Sequence, residues 1–383
     1  MAGIYIHIPF CRTKCDYCNF FSLASQRSKD ELASVICGEI NLQSAYLSSE
    51  LISTIYFGGG TPTLLAKSDI AGILDEIYCR FQLSPDVEIT LEANPDDISK
   101  EKLQALQSIG INRLSIGIQS FSPADLYYLN RLHEPAQAYR AIEETLEAGF
   151  NNTSIDLIFG IPGQTVSSLE KNLETFRSYK LPHLSAYALT VEPSTALAWK
   201  IKHKKAKPVL DEEQTEQFLF LMQWMENEGY SQYEISNYAV PGFESKHNSA
   251  YWKGEKYLGL GPSAHSFDGI SRQWNVSSLT KYMEGVRSAT LHFEKEVLTE
   301  IQHQNEFIMM AIRTRNGIDL DFFGQRFGKK ALNQLKINIQ NLIKAGSFGR
   351  PDNWFLNTDR SVMLSRQGKL FADHIAAKLF QQD

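Results

Sequence analysis

Apolar positions over the first two thirds of the chain alternate between two spacings. Short, nearly continuous runs rich in β-branched residues occupy 4–8, 54–57, 87–92, 113–118, 153–158 and 183–189. Runs of this kind suit parallel strands buried on both faces. Between them apolar residues recur at helical spacing over 28–47, 67–81, 99–109, 135–148 and 166–179. Gly110 and Gly149 follow two of these stretches, where a helix C-cap belongs. Six βα units in a row predict an α/β fold with a parallel sheet, open or curled into a complete or partial barrel. Periodicity alone does not choose between them.

The polar segments locate the chemistry. Gly58-Gly59-Gly60-Thr61-Pro62, Glu92-Ala93-Asn94-Pro95, Gln119-Ser120-Phe121 and Gly160-Ile161-Pro162-Gly163-Gln164 each follow a predicted strand. Parallel barrels build their sites from the βα loops at that edge. Any one polar loop is ordinary, but four at one edge point to a single site.

From about Gln302 the pattern changes. Helical stretches at 305–313, 321–327 and 330–344 lead into two short strands around a turn within 354–364, then a last helix at 367–380. This order resembles a winged helix. Residues 301–383 carry 12 Lys+Arg against 7 Asp+Glu, a local excess of 12 − 7 = +5. The basic residues are scattered rather than striped, which favours a docking module over a DNA reader.

Composition narrows the class. The chain has 383 residues, 43% of them hydrophobic and 21% charged, with a net charge of −6. These are globular proportions with no global basic field to recruit nucleic acid. No apolar run approaches the roughly 18 residues of a membrane span. The N-terminus lacks a basic, cleavable leader, so a cytoplasmic protein is expected.

Three of the five cysteines, Cys11, Cys15 and Cys18, crowd into eight residues, while Cys37 and Cys79 stand apart in helical patterns. A tight trio points to metal or redox chemistry rather than a disulfide framework. Structural zinc wants four closed ligands, and His7 is the candidate fourth. A [4Fe–4S] cluster held by three cysteines keeps one iron open for a substrate or cofactor, and the spacing favours that reading.

Cys-x3-Cys-x2-Cys with Tyr17 before the last cysteine resembles the radical S-adenosylmethionine (SAM) superfamily. More narrowly, Tyr5-Ile6-His7-Ile8-Pro9-Phe10-Cys11 resembles the family of oxygen-independent coproporphyrinogen III oxidases and HemW-type haem chaperones. The likeness continues through Phe57–Thr63, Asp156–Gln164, Tyr233–Asn237 and Tyr257–Gly261. The resemblance implies that SAM chelates the open iron and that an electron into the cluster cleaves it to a 5′-deoxyadenosyl radical. It places Tyr5, Tyr17, Gly58, Gly59, Gly60, Thr61, Glu92, Gln119, Arg131 and Asp156 at the cofactor. The run of glycines is expected to let the backbone approach the methionyl group with no Cβ in the way. The bland readings are a buried cap for Gln119, a helix-surface ion pair for Arg131 and a structural carboxylate for Asp156.

Two departures separate the chain from the oxidases. Phe20 stands where they resemble Cys-x3-Cys-x2-Cys-x-Cys, and Cys11 comes too soon for their N-terminal arm. His247-Asn248-Ser249-Ala250-Tyr251-Trp252 matches the HNxxYW motif of HemW-type chaperones. Imidazole is a common axial haem ligand, and Tyr251 and Trp252 offer flat apolar faces. On a helix His247 and Tyr251 share a face. The bland reading is a packed aromatic loop. His265 is a second candidate ligand. Ser245 stands where some family members carry a cysteine.

The expected architecture is therefore a partial (β/α)6 radical SAM barrel over 1–230, a connecting segment with the haem motif over 231–300, and a winged-helix-like α+β module over 301–383. The expected cofactors are a [4Fe–4S] cluster, SAM and haem. The expected partners are haem or porphyrin, haem-accepting apo-proteins and an electron donor. Coproporphyrinogen oxidation is the enzyme alternative, and a DNA-binding regulator a remote one.

Overall fold

All six apolar runs form strands, and they pair in parallel in chain order. They are β1 (Ala2–Ile8), β2 (Ile52–Gly59), β3 (Leu83–Ala93), β4 (Arg113–Gln119), β5 (Thr153–Phe159) and β6 (His183–Ala188). The computed structural model describes residues 1–345, 354–357 and 360–382. Helices fill the connections: α1 (Lys29–Leu42), α2 (Lys67–Arg80), α3 (Lys100–Ser108), α4 (Pro123–Tyr128), α5 (Pro135–Glu147) and α6 (Val166–Ser178). Laid flat, β1 and β6 would stand about 24 Å apart at about 4.8 Å per strand. Instead Cys11, just after β1, and Thr190, just after β6, line one cavity of about 510 Å³. The sheet curls without closing, which selects the partial barrel.

The stretch 231–300 does more than connect. After α7 (Ala196–Lys202) and α8 (Asp211–Asn227), β7 (Ser231–Glu234) and β8 (Asn237–Ala239) add antiparallel strands beyond β6. A short helix, α9 (Lys246–Trp252), precedes β9 (Lys256–Leu260), which lies parallel beside β1, with Ala2 opposite Lys256 and Ile6 opposite Leu260. Antiparallel strands β10 (His265–Phe267), β11 (Ser271–Asn275) and β12 (Phe293–Val297) then extend that side. Among the described residues the sheet has 12 strands, in the order β12-β11-β10-β9-β1-β2-β3-β4-β5-β6-β8-β7. Its seventh parallel strand, β9, was not visible as a run because Gly259 interrupts five residues. A Cβ at Gly259 would lie 2.0 Å from the carbonyl oxygen of His265.

One buried carboxylate ties this flank to the barrel. Glu39 on α1 is fully buried and accepts from Gly261 N (2.8 Å), Asn275 Nδ2 (2.6 Å) and Tyr282 Oη (2.6 Å). Tyr282 lies on α10 (Leu279–Arg287). Burial pushes the Glu39 pKa up, and the three donors work in the opposite direction.

The C-terminal module has its own core around Phe323, Leu335, Ile375 and Leu379. It comprises α11 (Glu300–Ala311), β13 (Ile318–Asp319), α12 (Leu320–Ala345), β14 (Phe355–Asn357), β15 (Ser361–Leu364), α13 (Arg366–Lys369) and α14 (Ala372–Leu379). The two expected helices 321–327 and 330–344 are the halves of α12, broken at Gly328, where φ is 87°. The hairpin β14–β15 gains a third strand, β13, giving a winged-helix-like order. The expected turn of that hairpin, at 358–359, lies outside the described residues. Among those described, no helix is long and apolar enough to cross a membrane.

Replacing Glu39 by Ala leaves three buried donors without an acceptor. Glu39→Ala should lower stability by about 3 kcal/mol and Glu39→Gln by less, read from urea midpoints. Equal midpoints for Glu39→Ala and the parent chain would show that this network does not hold the flank.

Candidate cofactor site

Strand register builds the inside of the barrel in layers. Alternate residues of a strand face one side, and the pairing sets Gly3 beside Thr54, Tyr5 beside Tyr56, and His7 beside Gly58. On β3, Glu88 lies opposite Thr54 and Thr90 opposite Tyr56. Glu92 follows two residues later, at the C-terminal edge. Three adjacent strands thus supply a floor, a middle layer of tyrosines and an upper layer at the βα loops.

The upper layer opens into the 510 Å³ cavity. Cys11, Cys15 and Cys18 line it together with Tyr17, Thr61, Glu92, Gln119, Arg131 and Asp156. The cysteine loop is held at its root, where Cys11 N donates to Leu23 O (3.0 Å) and His7 Nε2 meets Phe21 O (2.8 Å). Burial pushes the Cys11 and Cys18 thiols up. Among the described residues, no three His, Cys, Asp or Glu side chains converge on one metal ion. Three thiols at one cavity suit a cubane that keeps one iron open, whereas structural zinc wants four closed ligands.

Charge is arranged on the opposite walls. Tyr56 Oη donates to Glu92 Oε1 (2.8 Å) and Gly59 N to Glu92 Oε2 (3.3 Å). Burial, with Asp156 nearby, still raises the Glu92 pKa to about 7. Asp156 accepts from Ser115 Oγ (3.1 Å) and is likewise pushed up by burial. Arg131 follows α4 and reaches across to Asn94 Oδ1 (2.8 Å), Gly117 O (2.7 Å) and Cys15 Sγ (3.4 Å). It makes no helix-surface ion pair. Burial opposes its charge, but Tyr17 and Cys15 hold the guanidinium protonated. Among the described residues its buried Nε has no partner. Gln119 sits at φ 67°, where β4 shifts register against β5. A non-glycine residue in that conformation is held there by its surroundings, as at many binding sites.

The glycines have a packing reason beside the one expected. A Cβ at Gly60 would lie 2.5 Å from Phe10 O, and one at Gly59 2.5 Å from the His7 ring. At Gly58 it would meet Tyr56, Glu92 and Tyr5 at 2.9–3.1 Å. Protein fills the space at all three, although the backbones of Gly59 and Gly60 still border the cavity. Gly58 and Tyr5 lie just behind it; Tyr5 Oη meets His7 Nδ1 (3.1 Å). Sequence reasoning missed Asn94, which fixes Arg131 and Thr61 (3.0 Å), and His133. Burial and Arg131 push the His133 pKa down to about 4.

The floor is closed by α9. Ser245 caps this helix, accepting from Asn248 N (3.3 Å), and the Glu88 carboxylate accepts from Lys246 N and His247 N (both 3.1 Å). His247 Nδ1 meets Thr54 Oγ1 (2.8 Å), and its ring stacks on Tyr56 with centres 5.0 Å apart. Gly3 makes room, since a Cβ there would come within 3.3 Å of the imidazole. Burial drives the His247 pKa down to about 4. His247 therefore shares the lumen with Glu92, Tyr56 standing between them, at the end opposite the cofactor edge.

The other motif residues diverge. Asn248 donates to Tyr233 Oη (3.4 Å), and Tyr251 is exposed and packs on Tyr257 (5.4 Å). Trp252 borders two cavities, of about 800 and 700 Å³, between the barrel and the C-terminal module. Among the described residues its buried indole N–H has no partner. Neither cavity is lined by His247. His265 is exposed on β10, stacked on Trp274 (5.8 Å).

Comparison with known proteins agrees with this geometry. A family model described as the radical SAM superfamily matches residues 5–176, and one described as the HemN C-terminal domain matches 298–348. The chain is 34% identical to "Heme chaperone HemW" of Bacillus subtilis over 98% of each chain. It is 36% identical to "Heme chaperone HemW" of Escherichia coli over 69% of each. The structure of coproporphyrinogen III oxidase (HemN) from Escherichia coli, a radical SAM enzyme, superposes with a TM-score of 0.85. That superposition covers 99% of this chain and 90% of the other at 22% identity, a likeness of fold. With an open parallel barrel, three cysteines at its loop edge and relatives matched along nearly the whole chain, the chain belongs to the HemW family of the radical SAM superfamily.

Proposed function

We propose that the chain is a haem carrier that also binds a [4Fe–4S] cluster and SAM, and that it passes haem to apo-proteins. The observation that carries this reading is the placement of the HNxxYW helix between the barrel floor and the roughly 800 Å³ cavity. Trp252, Phe307 and Phe322 give that cavity aromatic walls, and Lys253 borders it with a positive charge, while Arg315 and Lys246 there are paired with Glu244 and Asp86. With its pKa down at about 4, the half-buried His247 is neutral at pH 7, the form that ligates iron, and among the described residues its Nδ1, not its Nε2, is hydrogen-bonded, to Thr54.

His247 and Trp252 are five residues apart, about 140° around the helix at about 100° per residue. One planar ligand does not touch both while His247 stays in the floor. Haem would then be met by Trp252 at the cavity, and His247 would ligate it only by leaving Thr54. The relatives named as haem chaperones support the reading.

At the opposite edge, Cys11, Cys15 and Cys18 would hold the cluster, whose chemistry is one-electron reduction of SAM. Glu92 would face the cationic methionyl group, Arg131 would fix the cysteine loop through Cys15, and Gln119 and Asp156 would orient the remainder. For coproporphyrinogen oxidation the support is the shared fold and the HemN-named C-terminal family model, while the relatives matched along the chain are named as haem chaperones.

SAM affinity reports on Glu92. Its pKa is raised to about 7, so a bound cation favours the ionised carboxylate and binding weakens as pH falls through 7. Between pH 8 and pH 6 the Kd for SAM should rise about tenfold. Glu92→Gln should bind more weakly and lose that part of the slope. An identical pH profile in both proteins would remove Glu92 from the cation site.

Haem titration tests the other end. His247→Ala should shift the Soret band, whereas Trp252→Ala should weaken binding and keep the ligation spectrum. Thr54→Val frees His247 from about 1 kcal/mol of hydrogen bonding, so haem should bind about fivefold tighter. The Cys11→Ser, Cys15→Ser, Cys18→Ser triple variant should still take up haem. An unchanged spectrum and affinity in His247→Ala would reject this site, and His265→Ala would be the variant to examine next.

A further inference from the structure

The outer side of the cysteine loop is braced by α7 and the residues around it. Leu197 N donates to Asp16 O (2.8 Å), Lys200 pairs with the Asp16 carboxylate, and Ser194 Oγ donates to Asn19 Oδ1 (2.8 Å). Asp16 lies between Cys15 and Cys18, and Asn19 directly after them. The far end of the segment is tied where Tyr128 Oη donates to Lys207 O (2.7 Å). Whatever rests on this segment rests against the loop that carries the cysteines.

Its charge is unlike that of the rest of the chain. Between Glu192 and Asp211 stand five lysines, Lys200, Lys202, Lys204, Lys205 and Lys207, and no acidic residue, in a protein of net charge −6. Lys202, Lys204 and Lys207 are exposed, and among the described residues they form no ion pair. Trp199 is 50% exposed amid them, with the Lys205 ammonium 4.6 Å from its ring centre and His203 stacked at 4.3 Å. Phe20, on the cysteine loop, is 67% exposed. A lysine run alone is ordinarily a solvated face. A large exposed aromatic within it is the composition of a recognition surface, where one flat anchor is ringed by charge.

We infer that this face docks an acidic one-electron carrier protein that reduces the cluster held by Cys11, Cys15 and Cys18. The inference rests on the cluster reading and not on haem. Reduction needs an electron from outside the chain, and the basic segment borders the loop that would receive it. In the step the carrier loses one electron and the cluster gains it; no covalent bond forms or breaks. Opposite charge speeds encounter and orients the partner, and salt weakens both effects.

The test uses the full chain with oxidised flavodoxin as probe and, in a second arm, a plant-type ferredoxin. Binding should weaken as ionic strength rises. The Lys202→Glu, Lys204→Glu, Lys207→Glu variant should bind the carrier at least about tenfold more weakly. A control, Lys329→Glu, Lys330→Glu, Lys336→Glu on α12, should bind like the parent. The rate of cluster reduction by the carrier should fall with affinity, while reduction by dithionite stays unchanged. Equal carrier affinity in the two triple variants would overturn the inference. So would loss of binding to phosphatidylserine vesicles with carrier binding intact, which would assign the face to a membrane. Docking is measured with or without iron, so failure of the cluster to assemble is a separate result.

Discussion

The parallel register of β1, β2 and β3 is the constraint on which the rest of this structure depends. Setting Gly3 beside Thr54, Tyr5 beside Tyr56, and His7 beside Gly58 fixes what stands at each depth of the barrel. A slip of one residue would turn each side chain to the outer face. Small residues at the floor admit the His247 ring, tyrosines fill the middle, and glycines above make room for His7 and for Tyr56 to reach Glu92. The two ends of the molecule are thus built from the same three strands.

Burial then sets the electrostatics at each end. Withdrawal from water raises Glu92 towards neutrality and keeps His247 uncharged, so each is poised to gain from a ligand of suitable charge or chemistry. Arg131 is the exception: tied to Asn94, Gly117 and Cys15, it keeps its charge and stiffens the cysteine loop. The C-terminal module adds the wall that the barrel lacks, since Phe307 and Phe322 face Trp252 across a cavity outside the lumen.

Much of this was legible in the sequence, for local reasons. The six apolar runs became strands because continuous β-branched segments between helices have few other places to bury. The cysteine trio, Glu92, Gln119 and Asp156 could be placed at one edge because βα loops share an edge. Long-range pairing was not legible. Nothing in 256–260 announces a parallel neighbour for β1, and nothing in Lys246–Trp252 announces a plug anchored by Glu88, 158 residues away from Lys246. The glycine run was read as backbone open to a ligand; Gly59 and Gly60 do border the cavity, and the packing of Phe10, His7 and the tyrosines against the missing Cβ atoms was not foreseen. His247, Asn248, Tyr251 and Trp252 were read as one haem-binding set, but the helix points His247 and Trp252 to different sides.

Two ligands at opposite ends of one barrel should be able to bind together. The most direct measurement is a SAM titration of the iron-loaded protein, first without haem and then saturated with it. The account predicts that SAM binds in both, with haem retained throughout and one equivalent of each per chain. Displacement of haem by SAM, or a SAM affinity that falls in proportion to haem concentration, would place both in one site and contradict it.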